Sequence, residues 1–437
     1  MTPAAAQVRS EQADRLLGIV STATCCSLYG LSNAGKSQLL RSLPGYAARQ
    51  PDAANMLLVY VDCNRIVENT AHGFFEVIMR SLLEALEEDD DAAPSTALLA
   101  TLREHHQAIT SAASGFRASL AFNNGIAEAC AGLGRNLVLL LDEFDEIYVA
   151  IEERALLNLR ALKDKYRERL TYLTATIRPL TDPGLRAENE FAELFTSAHV
   201  PTQPLSADDT SRVIDFSGGA TIPAESRAQI VSLSGGHYGL VSALTQAALR
   251  HSPSLANDAN ARAECLKIWN QLRPDEQHAL AVLATNGDEG LNPLDREHLT
   301  TFGLLDAQGR LFSPLFKAFL ARQGARVQSN EQGVFVDEDA GEVRVDGEKI
   351  SVLTDLEYRL MQLLAQRQDR LTTKEMIVEA VWNGSYMDRV DDARIEKLVS
   401  RLRAKIEPDP LKPRYLLTQR GRGYKLVSKP SLSDADA

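Results

Sequence analysis

The first 180 residues alternate short apolar runs with longer stretches of helical periodicity. The apolar runs are CCSLYG, MLLVYVDC, LVLLLDEF and LTYLTATI, and helical patterns separate them. This alternation predicts a parallel sheet with helices packed against it, because parallel strands are joined by helical crossovers. The uninterrupted run Leu137 to Leu141 predicts a strand that is buried on both faces.

The pattern changes at about residue 187, and we place the end of the first domain, residues 1–187, there. Residues 188–262 are helical, with mixed polar and apolar positions, and we expect a helical lid subdomain. Residues 263–322 contain helical patterns followed by two short strands that turn at Asp306 to Gly309. Helices followed by such a hairpin predict a winged-helix domain.

The last part of the chain predicts a separate domain over residues 332–428, after a polar linker at 323–331 and before a tail at 429–437. Its pattern is three short alternating strands, three helices and a final hairpin. Capping boxes at Thr354–Glu357 and Thr372–Glu375 predict that the first two helices begin near Asp355 and Thr373. The third helix is predicted to start after Asp391 and Asp392.

Composition is that of a globular protein of roughly three domains, with 44% apolar and 24% charged residues. The longest apolar runs are too short to span a bilayer, and the N-terminus has no basic-then-apolar signal pattern. We therefore expect a cytoplasmic protein with no membrane partner. The five cysteines include no CxxC pair, which disfavours disulfides and a zinc site.

Charge is distributed unevenly along the chain. The formal net charge is -12, but residues 394–425 contain ten basic and three acidic side chains, a local charge of +7. The remainder then carries -19. A chain divided in this way is expected to have one end that binds a polyanion.

Residues Gly30 to Ser37 have the spacing GxxxxGK[ST] and lie between an apolar strand and a helical run. This combination predicts a phosphate-binding loop, in which glycines let backbone N–H groups surround the β-phosphate. We expect Lys36 to reach the β- and γ-phosphates and the Ser37 hydroxyl to join the Mg²⁺ shell. The predicted ligands are ATP or ADP with Mg²⁺, and the predicted nucleotide-binding residues here are Gly30, Asn33, Ala34, Gly35, Lys36, Ser37 and Gln38.

A second set of polar residues follows the run at 137–141. We expect Asp142 to hold Mg²⁺ through water, and Glu143 to orient or deprotonate the attacking water. Asp145 and Glu146 are interpreted as helix-capping or helix-surface acids. Arg178, after the next strand, has two interpretations: a catalytic sensor of the γ-phosphate, or a surface salt bridge.

These motifs resemble the STAND branch of the AAA+ ATPases, relatives of the NACHT and NB-ARC switches and of origin-recognition initiators. The resemblance covers residues 8–322 and is carried by VRSEQADRLL, VYVDCN, LLLDEFDEI, TATIRPL and LSGGHYGL. It implies ATP hydrolysis to ADP and phosphate, expected here to be slow and regulatory. In this family a GGHP-like motif closes on the nucleotide; Tyr238 replaces the proline here. His237 is therefore interpreted either as a nucleotide contact or as part of a simple helix cap at Gly235 and Gly236.

The third helix of the last domain has two faces. Apolar residues recur at helical spacing on one face, and a basic stripe of Arg394, Lys397, Arg401 and Lys405 runs beside them. The final hairpin, RYLLTQRGRGYKL, turns at glycines and has arginines at its tip. One side of the helix is thus expected to pack, leaving the other for phosphates and bases.

LTDLEYRLMQLLAQ, EAVW, IEKLVSRLRAKIEPDP and RYLLTQRGRGYKL resemble the OmpR-type winged helix-turn-helix, over residues 332–428. That resemblance implies a third helix in the major groove of double-stranded DNA and a wing arginine in the adjacent minor groove. By residue-wise match, Lys397 and Arg401 are expected to face bases, Arg403 and Thr418 phosphates, and Arg420 the minor groove. Arg394 and Arg422 complete the predicted DNA-binding set. Trp382 and Tyr424 are expected to be core residues.

The predicted fold class is thus multidomain: an α/β P-loop NTPase with a helical lid, a winged-helix domain and a C-terminal α+β OmpR-like domain. The leading hypothesis is an ATP-binding, nucleotide-switched transcription regulator, associated with the bacterial nucleoid. We expect ATP to favour a homo-oligomer and an inducer ligand or partner protein to provide the signal. The alternative is a DNA-dependent initiator, mobile-element or defence ATPase of the same type.

Overall fold

The structure is a computed structural model. It describes residues 8–88, 95–182, 184–186, 189–286, 291–306, 308–331, 334–337, 342–345, 348–350, 353–382, 384, 388–419 and 421–427. The chain divides into two compact units at about residue 320. Among the helices of the described residues, none has the length and apolar character needed to cross a membrane.

The first unit is built on a five-stranded parallel sheet. Its strands are β1 (Cys26–Tyr29), β2 (Met56–Asp62), β3 (Asn136–Asp142), β4 (Leu170–Thr176) and β5 (His199–Pro201), in the order β2-β3-β4-β1-β5. The helices around the sheet are α1 (Ser10–Ser21), α2 (Lys36–Ala47), α3 (Ala71–Glu87), α4 (Thr96–Thr110), α5 (Gly115–Gly132), α6 (Phe144–Ala150), α7 (Glu153–Tyr166) and α8 (Glu190–Glu193). The predicted parallel sheet with flanking helices is confirmed.

Side chains of β3 alternate between two separate cores. Leu137, Leu139 and Leu141 pack in the core that includes α3 and α5, and Val138 and Leu140 pack in the core that includes α1 and α2. All five are at most 1% exposed. The prediction of a strand buried on both faces is therefore confirmed, and β3 delivers Asp142 to the carboxyl edge of a fixed sheet.

The sheet continues past residue 187, where the end of the first domain is predicted. After α8 the chain returns to the sheet as β5, which pairs in parallel with β1. Phe191, Phe195 and Val200 are buried in the sheet's cores. A three-residue strand ending in proline has no alternating pattern, so nothing in the sequence distinguishes it from the helical segment that follows.

The segments predicted as a helical lid and a winged helix share one hydrophobic core. Their helices are α9 (Ala207–Phe216), α10 (Ala224–Ser234), α11 (Tyr238–Leu249), α12 (Ala259–Asn270), α13 (Pro274–Asn286), α14 (Pro293–Thr301) and α15 (Pro314–Glu331). The predicted boundary at 262/263 falls inside α12. That helix begins after Asp258, whose carboxylate accepts from the backbone N–H groups of Asn260 and Ala261.

Two further features of this region differ from prediction. The pair of strands predicted around Asp306 is a single antiparallel bridge between Leu305 and Leu311. The segment 323–331, predicted as a linker, continues α15 to Glu331. Its polar composition does not prevent helix formation, because most of its residues are compatible with a helix and α15 is already nucleated in the core by Leu315, Phe316 and Leu320.

The second unit has the predicted order of elements. Strands β6 (Val334–Asp337), β7 (Glu342–Val345) and β8 (Glu348–Lys349) form an antiparallel sheet, and α16 (Asp355–Gln366), α17 (Lys374–Trp382) and α18 (Asp388–Ile406) follow. The hairpin pairs β9 (Leu416–Gln419) with β10 (Gly423–Leu426). A Cβ at Gly423 would lie 2.1 Å from the carbonyl oxygen of Thr372, so the close approach of the hairpin requires glycine there.

Helix starts in this unit were predicted with mixed success. The capping box between Thr354 and Glu357 is present. The second box is displaced, because α17 begins at Lys374 and the cap is the hydroxyl of Thr373, which accepts from Met376. The third helix starts at Asp388, before the two aspartates that were predicted to precede it.

Candidate functional site

The phosphate-binding loop has the strand–loop–helix context that the motif requires. Strand β1 ends at Tyr29 and α2 begins at Lys36. Gly35 has a φ of 96°, in the left-handed region that favours glycine, and a Cβ there would lie 3.2 Å from the Cβ of Tyr238. The loop therefore passes directly beneath the start of α11.

Lys36 is buried, and its ammonium group is directed back into the loop. Nζ donates to the carbonyl oxygens of Gly30 at 2.7 Å and Leu31 at 3.0 Å. Burial lowers the pKa of Lys36, and the nearby carboxylates of Asp145 and Glu143 oppose that effect. For Lys36 to contact a phosphate, it has to exchange these carbonyl oxygens for phosphate oxygens.

The lid and α12 hold the same loop through three hydrogen bonds. The backbone N–H of Ser32 donates to Oε1 of Gln271 at 2.6 Å, and Nδ2 of Asn33 donates to Oε1 of Glu264 at 2.8 Å. The backbone N–H of Gly239, on α11, donates to the carbonyl oxygen of Asn33 at 2.8 Å. One predicted nucleotide-binding residue, Asn33, and its neighbour Ser32 are thus connected to elements outside the sheet.

Arg9, which the sequence did not single out, contacts the loop from the N-terminal side. It is buried, has a φ of 60°, and donates from Nη2 to the carbonyl oxygen of Ala34 at 2.7 Å. Burial lowers the pKa of Arg9 to about 10, so it stays protonated at neutral pH. Its Nε has no hydrogen-bond partner among the described residues.

A cavity of about 20 Å³ lies beside the loop and is lined by Arg9, Leu31, Ala34 and His237. A smaller cavity, of about 10 Å³, is lined by Gln38 together with Arg9. Gln38, predicted to bind nucleotide, therefore lies at the loop's periphery. The two cavities mark the space between the sheet, the N-terminal segment and the lid.

His237 fits both of its predicted interpretations in part. Gly235 ends α10 in the left-handed conformation, and Nδ1 of His237 accepts from the backbone N–H of Leu240 at 3.4 Å, capping α11. Burial lowers the pKa of His237 to about 3, so the ring is neutral, with its proton on Nε2. Nε2 has no partner within the described part of the chain, and the residue lines the cavity beside the loop.

Asp142 and Ser37 are brought together as predicted for a magnesium site. The Ser37 hydroxyl is 3.2 Å from Oδ1 of Asp142 and also 3.2 Å from Oε1 of Glu143. Asp142 is 0% exposed, and burial raises its pKa. One hydroxyl and two carboxylates supply the oxygen ligands that Mg²⁺ requires, so the residues present fit the ion.

Glu143 follows the strand in a left-handed conformation, with a φ of 51°. This turn lets α6 begin at the next residue, Phe144, and Glu143 contacts Ser37. The next two acids have structural contacts: Oδ1 of Asp145 accepts from the backbone N–H of Ile177 at 2.8 Å, and Oε1 of Glu146 accepts from Asn69 at 2.9 Å. Of these three acids, Glu143 is the one that contacts Ser37.

Arg178 forms a salt bridge, but the bridge is buried rather than on the surface. Its guanidinium donates to both carboxylate oxygens of Glu276 on α13, at 2.8 Å and 2.6 Å, and lies over the ring of Phe302. Nε2 of His298 also lies 2.6 Å from Glu276. Burial by itself would raise the pKa of Glu276, but the bonds from His298 and Arg178 hold it well below its usual range.

Arg178 therefore forms the salt bridge of the second interpretation, but that bridge is buried and not on the surface. The contact also limits the catalytic interpretation, because both donors that would reach a γ-phosphate are bonded to α13. Sequence reasoning could not find this pairing, since Glu276 lies 98 residues away and belongs to no motif.

The third helix of the second unit has the predicted apolar face, but Lys405, predicted to belong to the basic stripe, is paired with Glu357 at 2.8 Å. Its buried side chains are those predicted to pack: Ile395, Leu398, Val399, Leu402 and Ile406. Lys397 and Arg401 are exposed and make no hydrogen bond or ion pair with the described residues. They are the two side chains predicted to face bases.

Arg403 and Thr418 were predicted to contact phosphates, and the structure places them in contact with each other. Nη2 of Arg403 donates to the hydroxyl of Thr418 at 2.8 Å and to the carbonyl oxygen of Leu416 at 2.6 Å. Burial lowers the pKa of Arg403. This arginine joins α18 to the hairpin and so fixes the position of the wing.

The remaining predicted DNA contacts lie at the edges of this face. Arg394 pairs with Asp391 at 2.9 Å and lies 4.5 Å from the centre of the Trp382 ring. Arg422 is exposed in the hairpin turn. Arg420 lies outside the described residues. Tyr424 is buried in the core of the unit, as predicted, and Trp382 is half-buried against it.

Comparison with known proteins identifies two domains. Residues 7–180 match the family described as AAA ATPase domain, and residues 347–426 match the family described as transcriptional regulatory protein, C terminal. The chain therefore carries an AAA ATPase domain followed by an OmpR-type DNA-binding domain.

Curated relatives match the C-terminal domain. The DNA-binding response regulator MtrA of Mycolicibacterium smegmatis is 38% identical over 118 residues, which are 25% of this chain and 50% of MtrA. The uncharacterized transcriptional regulatory protein YcbL of Bacillus subtilis is 42% identical over 91 residues, 21% of this chain and 39% of YcbL. The chain thus spans half or less of the length of these relatives.

A solved structure is similar to the N-terminal part. The Walker-type ATPase of Pyrococcus abyssi is 15% identical, with a TM-score of 0.48, and the match covers 71% of this chain and 95% of that one.

Proposed function

We propose that the protein is a nucleotide-switched, DNA-binding transcription regulator whose ATPase part is of the STAND type. ADP favours a closed monomer and ATP favours an open form that self-associates. An AAA ATPase domain joined to an OmpR-type domain indicates a DNA-binding regulator of transcription. The nucleotide switch is the further step, and it rests on how the phosphate-binding loop is held.

The observation that carries the switch is the pair of bonds from α12 to the loop. Gln271 accepts from Ser32, whose N–H belongs to the group that surrounds a phosphate, and Glu264 holds Asn33. A bound nucleotide and the α12 region therefore compete for hydrogen-bond donors of the same loop. A ligand shifts a conformational equilibrium only through its different affinity for the two states, and this shared donor set provides such a difference.

Arg178 extends this coupling to the winged helix. While it is paired with Glu276, neither terminal nitrogen is available to a γ-phosphate. Release of α13 frees the guanidinium, and a γ-phosphate in turn favours the released state. ADP lacks that phosphate and leaves the buried pair intact.

In the hydrolytic step, Lys36 moves from its carbonyl partners to the phosphate oxygens, and Glu143 accepts the proton of the attacking water. Ser37, and Asp142 through water, would hold Mg²⁺, which would supply neutralisation of charge on the phosphates. Hydrolysis returns Arg178 to Glu276. We expect turnover to be slow, since each cycle breaks a buried, doubly hydrogen-bonded ion pair.

The exposed face of α18 supports DNA binding through Lys397 and Arg401, with Arg422 at the wing. An inducer ligand or a partner protein acts by favouring the open state. Genome-wide mapping of sites bound by the full chain tests the regulator role: sites upstream of promoters support it. Binding confined to one replication origin or to the ends of an element supports the initiator or mobile-element alternative instead.

Light scattering tests the switch itself. We expect the full chain to be monomeric with ADP and to gain mass with a non-hydrolysable ATP analogue. Gln271→Ala should gain mass at lower analogue concentration, since one contact of the closed state has been removed. Gln229→Ala, an exposed glutamine on α10, is the matched control. Equal mass with both nucleotides in the wild type would contradict the switch.

A further inference from the structure

Tyr60 lies next to Asp142 across two paired strands. Strands β2 and β3 pair in parallel, with Asp62 opposite Asp142. Tyr60 lies two residues before Asp62 on β2, so the two side chains are on the same face of the sheet. Its hydroxyl donates to Oδ2 of Asp142 at 2.6 Å. The other carboxylate oxygen, Oδ1, is the one that faces the Ser37 hydroxyl.

Arg41 holds the Tyr60 hydroxyl from the opposite side. Its Nε donates to the tyrosine oxygen at 2.8 Å, and its Nη2 donates to Oδ2 of Asp62 at 3.1 Å. The guanidinium also lies 5.3 Å from the centre of the Tyr60 ring. Arg41 follows Ser37 by four residues on α2, so both side chains project from one face of that helix.

The direction of these bonds matters for Asp142. A phenol has one proton to donate, and when a guanidinium donates to its oxygen, that proton is left for the carboxylate. Asp142 is 0% exposed, so the orientation of its carboxylate depends on donors of the protein. The carboxylate is thus fixed with one oxygen on Tyr60 and the other towards Ser37.

We propose that Tyr60, oriented by Arg41, is a positioning residue that sets the Asp142 carboxylate for magnesium. This inference rests on the proposed nucleotide function. Mg²⁺ demands near-ideal octahedral geometry, and partners that orient a ligand from outside the first coordination shell typically change metal affinity by about 10- to 100-fold. Arg41 is half exposed, so its own removal is expected to disturb the fold little.

The test measures binding of a fluorescent ADP analogue to the full chain, as Mg²⁺ is titrated and in EDTA. For Tyr60→Phe, we expect a rise of about 10-fold or more in the Mg²⁺ concentration that gives half of the Mg²⁺-dependent increase in affinity for the ADP analogue. The affinity for the analogue in EDTA should be unchanged. Arg41→Met should show a smaller rise in the same direction. Unchanged affinity in EDTA also reports that the nucleotide site is folded.

Tyr46→Phe is the matched control, since Tyr46 lies on the same helix and its hydroxyl donates to Asp14 at 2.6 Å, away from the nucleotide site. It should behave as the wild type. If Tyr60→Phe and Arg41→Met both keep the wild-type Mg²⁺ requirement, the positioning role is wrong. If the wild type binds no nucleotide, or binds it without any Mg²⁺ effect, the proposed nucleotide function fails and this inference fails with it.

Discussion

At the nucleotide end of the chain, the charged side chains are buried and bonded to groups of the protein, whereas on α18 two cations are exposed without partners among the described residues. Lys36 donates to its own loop and Arg178 to Glu276. Lys397 and Arg401 face solvent. A nucleotide therefore has to displace existing partners, while DNA meets side chains that are already free.

This difference follows from burial. A buried charge without a partner costs several kcal/mol, so the closed ATPase satisfies its cations internally. An exposed lysine or arginine is hydrated and gains by replacing the counterions of a phosphate backbone. We infer that control lies in the ATPase unit, where partners are exchanged, and that the DNA-binding face needs no rearrangement of its own cations.

The largest expected effect comes from Lys36→Ala, which should reduce ATP binding below detection. Each charge-assisted hydrogen bond that it removes is worth about 1.5–3 kcal/mol. Equilibrium titration with a fluorescent ATP analogue measures the loss. Lys165→Ala, an exposed lysine of the same unit, should bind normally; wild-type affinity in Lys36→Ala would overturn the assignment of the loop.

Glu143→Gln should bind ATP and Mg²⁺ normally but hydrolyse ATP about 10²- to 10⁴-fold more slowly, because the amide cannot accept the proton. Single-turnover kinetics measure this, and light scattering should show the variant retained in the associated form after ATP addition. If the variant dissociates as fast as the wild type, hydrolysis is not the step that returns the protein to the monomer.

A comparison of Arg401→Ala with Arg403→Ala in the full chain tests the roles of two arginines on α18. Arg401→Ala should lose about 1–3 kcal/mol of discrimination at one base position and leave thermal stability unchanged. Arg403→Ala should lower the stability of the C-terminal unit by about 1–2 kcal/mol and weaken all sequences similarly, because the wing loses its bonds to α18.

These two variants are titrated at three salt concentrations against a duplex selected from a random library and a scrambled duplex. Arg359→Ala, an exposed arginine on α16, controls for the loss of one positive charge. If Arg403→Ala is as stable as the wild type, its bonds to Leu416 and Thr418 have no structural role and the phosphate-contact prediction gains support.

Arg394→Ala should have the smallest effect. Its guanidinium is shared between Asp391 and the Trp382 ring, and an exposed cation–π contact is worth about 0.5–1 kcal/mol. Thermal unfolding and the same DNA titration measure it. A loss of affinity as large as that of Arg401→Ala would show that Arg394 leaves Trp382 to contact DNA.

The sequence predicted well wherever a motif defines its own neighbourhood. The positions of Lys36 and Ser37 after β1, and of Asp142 at the end of β3, could be predicted because loop and strand patterns depend only on neighbouring residues. The partners of Arg178 and Asn33 could not be predicted, since Glu276 and Glu264 lie far along the chain in helices without motifs. Tyr60 was within the quoted VYVDCN run, but only the pairing of β2 with β3 shows that its hydroxyl meets Asp142.

Two elements near the predicted domain boundaries could not be predicted from the sequence. Strand β5 is too short to show an alternating pattern. The start of α12 was not recognised, because its cap, Asp258, is of a residue type that is common on protein surfaces. Arg403 shows a different limit: a basic residue beside a recognition helix has the same sequence pattern whether it contacts phosphate or braces the hairpin.

The central claim is that nucleotide state controls DNA binding, and DNA affinity in two nucleotide states tests it most directly. The full chain is titrated with the selected duplex, in saturating ADP and in saturating non-hydrolysable ATP analogue, both with Mg²⁺. We expect at least about 5-fold tighter binding with the ATP analogue, the lower end of typical coupling between sites, and no difference in Lys36→Ala. Equal affinity of the wild type in the two nucleotides would contradict the account.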